Sequence, residues 1–340
     1  MRMVTMKKIA ELCGVSRGTV DRALNGRGRV NAETAEAIRV MAKKLGYEPN
    51  PAGKALAARR HKPVIGVVLA SQDNTFFDAV LDGMKAVAAQ YEIYGVTVQY
   101  YALKGYNVGE QLDVLRKITP SIHALIINPI NDPLVAQELD AMIRRGIFVI
   151  AVNNDIEGVM PHCYVGCDYF NSGVTACSLL AALMGESAEI GIVLGNRRVM
   201  GHKVRLDGFR HRMERLPSFH IQEIIEHEDD DINAYEKVKD LIERRPDINA
   251  IVILAAGVYG TCRAIMQLPQ EKRPLVIACD TVATTVQMME KGIVKATLYQ
   301  HPFRQGATAV TLAFEYLVHG KMPMKERYQM KNEIKLLENM

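Results

Sequence analysis

Residues 4–31 read VTMKKIAELCGVSRGTVDRALNGRGRVN, and two short helices joined by a tight turn can be read from them. Thr5 stands where a side-chain oxygen caps a helix over residues 6–13, with Ile9 and Leu12 expected on its inner face. Gly14 follows where the chain must turn, and glycine tolerates the left-handed conformation that ends a helix. Ser16 is placed to cap a second helix from Arg17 to about Asn25, with Val20, Ala23 and Leu24 at helical spacing. Ala10 is small enough for the two helices to cross closely, so Ala10, Gly14 and Val20 have the spacing of a helix-turn-helix. Residues 26–30 form a loop. Asn31 then caps a third helix in which Ala35, Ile38, Met41, Ala42 and Leu45 recur every three or four positions.

The second helix leaves Arg17, Gly18, Asp21 and Arg22 pointing outward. In a helix-turn-helix the N-terminal part of this helix enters the major groove. An arginine fork matches the O6/N7 acceptor pair of guanine there. Plain structural helix pairs share the spacing, so the next residues matter. Residues 47–60 read YEPNPAGKALAARR, where Pro49 and Pro51 end the third helix and 52–58 can form a short helix with Leu56 exposed. Such a helix needs a partner, because short isolated helices are unstable in water.

Charge separates this head from the rest. Residues 1–62 hold 14 Lys and Arg against 5 Asp and Glu, a charge of +9, while the remainder carries −5. A basic head on a mildly acidic body is an electrostatic footprint of nucleic-acid binding. The chain of 340 residues is long enough for two or three domains, and 49% hydrophobic with 24% charged residues is a globular composition. No run of 18 apolar residues suits a membrane span. The first residues, MRMVTMKKIAEL, lack the apolar core of a signal peptide, so a cytoplasmic location is expected. Cys13, Cys163, Cys167, Cys177, Cys262 and Cys279 read as small core residues rather than a metal centre.

From residue 63 onward, short β-branched runs alternate with helical patterns. The candidate strands are 63–70, 96–102, 123–129, 147–153, 188–195, 249–256, 274–280 and 295–300, with helices between them such as 77–90 and 171–183. Alternation of this kind predicts an α/β body with parallel sheets, and the near-continuous apolar runs predict sheets covered on both faces. There are two such series, with a break expected near 160–168.

The head resembles the DNA-binding head of the LacI-type (lactose and purine repressor) family. The match rests on VTMKKIAELCGVS, on Thr19-Val20, Arg22, Asn25 and Asn31, and on LGYEPNPAGKALAARR. The body is similar to the same family and to the ribose-type periplasmic sugar-binding proteins. Its landmarks are IGVV at 65–68, NTFF at 74–77, NNDI at 153–156, VGCD at 165–168, VRLDGF at 204–209, ACD at 278–280, and Gln300 with Gly306. The resemblance implies an all-α head on a two-lobed, type I periplasmic-binding-protein-like α/β body. The domains are then 1–48 for the head, 49–62 for a hinge helix and linker, and 63–340 for effector binding and dimerisation. Lobe one would take 63–162 and 292–322, and lobe two 163–291 and 323–340, joined by three crossovers.

The same resemblance implies that Thr5, Ser16, Arg17, Gly18, Thr19, Arg22, Asn25, Asn31, Leu56 and Ala57 meet DNA, with Leu56 as a wedge in the minor groove. Asp21 departs from the family, which commonly has a phosphate-contacting serine there. A carboxylate is repelled by phosphate, so Asp21 is expected to pair with Arg17 or Arg22. In the body, ligands of open α/β sheets bind at strand C-terminal ends. Asn74, Phe76, Phe77, Asn154, Asp155, Arg205, Tyr259, Asp280 and Gln300 lie at or just beyond such ends. Polar side chains of this kind complement hydroxyls, and aromatic rings cover the C–H face of a sugar. Any one of them alone reads as a cap, turn or core residue; it is their joint placement that points to a site. Ribose-type sites usually carry Asn or Asp after the strand at 249–256, where this chain has Ala255, Ala256 and Gly257. The ligand is then a less hydroxylated sugar, a cyclitol, or a bulkier molecule stacked on Tyr259.

No GxGxxG, P-loop, GxSxG or HExxH motif occurs, so neither a nucleotide cofactor nor an enzyme is expected. The run His227-Glu228-Asp229-Asp230-Asp231 reads as an exposed acidic loop capping a helix from Ile232. The function expected is a regulator of the repressor kind, controlled by a small carbohydrate or polyol. It would act as a homodimer on a pseudo-palindromic DNA operator, away from membranes. A solute-binding protein would gain nothing from the basic head.

Overall fold

A computed structural model describes residues 4–24, 30–47, 61–72, 74–196 and 199–340. They fall into two compact units, residues 1–60 and 61–340. Asn25, Leu56 and Ala57, and nearly all of the expected hinge, lie outside the described residues.

Among the described residues the head has three helices, α1 (Met6–Cys13), α2 (Arg17–Leu24) and α3 (Ala32–Lys44). Local chemistry sets each start. Thr5 Oγ1 accepts from Lys8 N at 3.3 Å, Ser16 Oγ from Thr19 N at 3.1 Å, and Asn31 Oδ1 from Glu33 N at 2.9 Å. Gly14 ends α1 at φ 64°. Ile9, Ala10, Val20, Ala23, Ala35, Ile38 and Ala42 form the core. Leu12, expected inside, is 47% exposed. Met6, Ile9, Ala10 and Cys13 share one face, and the helical repeat turns Leu12 about 120° away from its centre.

The body contains, in chain order, β1 (Val64–Gln72), α4 (Phe76–Tyr91), β2 (Thr97–Lys104), α5 (Val108–Ile118), β3 (Ala124–Ile127), α6 (Pro133–Arg144), β4 (Phe148–Val152) and β5 (Cys163–Cys167). It continues with α7 (Tyr169–Met184), β6 (Ala188–Leu194), α8 (Met200–Met213), β7 (Phe219–Glu226), α9 (Asp231–Arg244), β8 (Ala250–Ile253), α10 (Val258–Ile265), β9 (Leu275–Cys279), α11 (Ala283–Glu290), β10 (Val294–Tyr299), α12 (Pro302–His319), β11 (Arg327–Met330) and β12 (Glu333–Lys335). Two six-stranded sheets result, in the orders β11-β5-β4-β3-β1-β2 and β12-β10-β9-β8-β6-β7. All pairings are parallel except β10 with β12. Central strands such as β3, β4 and β8 are buried along their whole length, because helices cover both faces.

The sheets move the expected lobe boundaries. Residues 163–167, assigned to lobe two or to a break, form a strand of the first sheet, pairing Ile150 with Cys163. β10 belongs to the second sheet, and β11 returns to the first. The chain therefore crosses between lobes after β5, between β10 and α12, and between β11 and β12. Each crossing waits for a strand to complete its ladder. CYVGC was hard to read as a strand because cysteine and glycine dilute its β-branched signal.

Candidate functional site

Two regions gather the residues expected to act. On the head, Ser16, Arg17, Gly18 and Arg22 are exposed along α2, and Thr19 is half-buried. Thr19 links its neighbours: its Oγ1 lies 2.9 Å from Ser16 Oγ and accepts from Arg22 Nη2 at 3.4 Å. Arg22 is thus held at the helix surface by the residue one turn before it. Asp21 lies close to Tyr47, whose hydroxyl pKa is raised by burial and by the Asp21 charge, against the opposing Arg17 charge. Arg22 turns to Thr19, and Asp21 and Arg17 share the surroundings of Tyr47. Thr5 and Asn31 serve as helix caps.

In the body, the C-terminal ends of both sheets face one another across the cleft. Asn74 follows β1 and its Oδ1 accepts from Phe76 N at 3.2 Å. Phe77 is 2% exposed and belongs to the core of the first lobe, so the expectation of a ligand-facing ring falls to half-buried Phe76, edge-on to Phe77 at 5.3 Å. Asn154, buried beyond β4, reaches the other lobe, where its Oδ1 accepts from Gly201 N at 3.3 Å. Asp155 turns to β11, paired with Arg327, and its Oδ1 also caps Ile156 N.

Arg205 is 3% exposed and sits in the middle of α8 rather than at its start. Its Nε donates to Ser172 Oγ at 3.2 Å and its Nη1 to Leu254 O at 2.6 Å, with the guanidinium 4.8 Å from the Tyr169 ring centre. This seat depends on close helix packing: a Cβ on Gly173 of α7 would overlap the Arg205 carbonyl oxygen. Burial opposes the Arg205 charge, and the carboxyl of Asp280 nearby favours it. Asp280 follows β9 at φ 69°. Its Oδ1 accepts from Gln300 Nε2 at 2.7 Å. Burial pushes its carboxyl up, countered by Arg205 and Gln300. Gln300 Oε1 is buried without a partner. Arg205, Asp280, Gln300 and Asn154 thus converge, bringing donors and acceptors to one place.

Tyr259 does not join them. It lies on α10, its hydroxyl accepting from Arg263 Nη1 at 3.1 Å, in a groove of about 230 Å³ with Asp231, Ile232, Tyr235, Gly260 and Arg263. Helix phase, which proximity to a strand end does not reveal, turns it toward α9. Sequence reading also missed residues that are present. Tyr106, beyond β2, lies beside Asp229, beyond β7, across the two lobes: burial and the Asp229 charge raise its hydroxyl pKa. His227 is fully buried rather than part of an exposed loop, while Asp230 caps α9 through Asn233 N at 2.8 Å. The signal available was Gly195 and Gly257, small residues at strand ends. Among the described residues, no three His, Cys, Asp or Glu side chains are gathered as a metal site needs. None of the described helices is long and apolar enough to cross a membrane.

Comparison with known proteins places these two regions. Residues 65–322 match the family described as periplasmic binding protein domain, and residues 5–50 match the bacterial regulatory proteins, lacI family. The chain belongs to the periplasmic binding protein domain family, with a lacI-family head. A similar curated protein is the HTH-type transcriptional regulator GalS of Salmonella typhimurium, 27% identical over 62% of this chain and 60% of that protein. Another is the HTH-type transcriptional regulator CelR of Thermobifida fusca, 26% identical over 76% of this chain and 75% of that one. Among solved structures, GanP, a glucose-galactose binding protein from Geobacillus stearothermophilus, aligns with a TM-score of 0.76 at 23% identity, over 82% of this chain and 98% of its own. A solute binding protein from Bacillus halodurans with bound myo-inositol aligns at 0.75 and 20% identity, over 82% and 96%. The structural likenesses establish the fold of the periplasmic-binding-protein-like body. A lacI-family head implies DNA as a partner, and a binding-protein body implies a small-molecule effector.

Proposed function

We propose that this chain is a sequence-specific DNA-binding transcription regulator, a repressor rather than an enzyme, whose operator affinity is controlled by a small carbohydrate or polyol. The observation that carries this reading is the pairing, in one chain, of an exposed Arg17–Gly18–Arg22 surface on α2 with a cleft where Arg205, Asp280, Gln300 and Asn154 converge. Arg22 and Arg17 read base edges, while Ser16 and Thr19 sit where hydroxyls reach phosphate. In the cleft, the charged fork of Arg205 and the carboxyl of Asp280 bind vicinal hydroxyls, and Phe76 covers an apolar face. The regulator acts in the cytoplasm as a homodimer, which a two-fold pseudo-palindromic operator mirrors.

Control follows from differential binding. A ligand touching both lobes favours their closed arrangement only by the difference in its affinity for the two states. In a dimer, that shift is coupled to operator affinity. The experiment is a mobility shift with DNA selected from a random pool by the full chain, repeated with sugars and cyclitols. A specific complex whose affinity changes with one of these is expected. Absence of any specific complex overturns the reading.

A further inference from the structure

The ends of β6 and β8 lack room for side chains of their own. A Cβ on Gly195 would overlap the Asp229 carboxylate and lie 2.7 Å from the His202 ring. A Cβ on Gly257 would lie 2.5–3.0 Å from three atoms of the His227 ring. His227, just beyond β7, thus occupies the space beside Gly257, in the stretch 255–257 where a ribose-type site is expected to present a polar arm, while Asp229 and His202 fill the space beside Gly195. His227 is 0% exposed and neither ring nitrogen makes a well-formed hydrogen bond. Around it are the backbone at Ala256 and Asp230 and the carboxylates of Asp229 and Asp231. Asp229 keeps Oδ1 buried without a partner, and Tyr106 of the other lobe lies beside its carboxylate. His202 Nδ1 accepts from Asn196 N at 3.3 Å. Burial lowers the pKa of both imidazoles, so each is neutral at pH 7.

A buried polar group without a partner is costly and rare in a native protein. A hydroxyl answers two such groups together, because it donates and accepts. We propose that His227 and Asp229 form a hydroxyl-recognising arm of the cleft, substituting for the side chain absent at 255–257 and selecting a neutral carbohydrate or cyclitol. This rests on the carbohydrate reading of the cleft. The ligand hydroxyl donates to the Asp229 carboxylate and accepts from the His227 ring N–H. Tyr106 faces this arm from the first lobe, so the hydroxyl is read when the lobes are together.

The test is calorimetric titration of the full chain with D-glucose, D-galactose, D-arabinose, D-tagatose, D-allose and myo-inositol, then with the monodeoxy forms of the tightest binder. Asp229→Asn and His227→Leu are each expected to weaken that binder at least tenfold. One monodeoxy form should bind the parent at least tenfold more weakly and lose less than a further twofold in Asp229→Asn. Asp229 is only part-buried, so its variant is informative even if His227→Leu does not fold. Binding that Arg205→Ala abolishes and Asp229→Asn leaves unchanged removes the arm and keeps the carbohydrate reading. Failure of every sugar in the panel to bind the parent overturns both.

Discussion

The head presents the side chains proposed to face DNA between Ser16 and Arg22, at the start of one helix, whereas the proposed cleft draws on residues from 74 to 300 and on both lobes. The head's geometry follows from local rules: a cap at Thr5, a left-handed Gly14, a cap at Ser16. The cleft's geometry follows from where strands end and how closely helices approach. A change in the head should therefore be felt at one surface, and a change in the body should spread through packing.

Gly173→Val gives that contrast its hardest trial. A side chain there meets the Arg205 carbonyl oxygen and must push α7 from α8. Overpacking of this kind should cost the body about 3 kcal/mol or more, read as a lower urea midpoint. An unchanged midpoint would show that the two helices can part freely. Arg205→Ala is expected to weaken effector binding by about 2–3 kcal/mol, since charged hydrogen bonds are lost. Operator affinity without effector should stay the same, because the head is untouched. Arg22→Ala reverses the pattern: about 1–3 kcal/mol of specific DNA binding is lost if the contact is bidentate to guanine, with effector affinity intact. Equal operator affinity at fixed salt would remove Arg22 from base reading.

These contrasts explain what was legible in the sequence. The three head helices and most body strands were, because caps and apolar periodicity are local signals. The strand at 163–167 was not, since its composition is weak and its identity comes from pairing with β4. Tyr259 and Phe77 were near strand ends, but helix phase sent one to the α9 groove and the other to the core. His227 stood in an acidic run that reads as solvated, and only folding places its ring over Gly257.

A smaller effect separates the regions by pH. His162, His202 and His227, all in the body, have pKa values lowered chiefly by burial. The unfolded chain then binds more protons than the native one, so stability rises with pH and falls as pH drops through about 6.5. Asp280, with a raised pKa, acts in the opposite sense at lower pH. Acidification from pH 7 to 5.5 should lower the melting temperature of the body, and His202→Gln should make that fall shallower. A parent melting temperature flat across this range would contradict the burial of these rings.

The most direct measurement is calorimetric titration of the bound sugar into the full chain, with and without its selected operator DNA. Coupling between head and cleft is reciprocal, so an effector that changes operator affinity must have its own affinity changed by the same factor. A shift of about 5–150-fold, matching the effector's shift of operator affinity, is the expected result. Equal sugar affinity with and without operator would contradict the coupling and leave two independent binding regions on one chain.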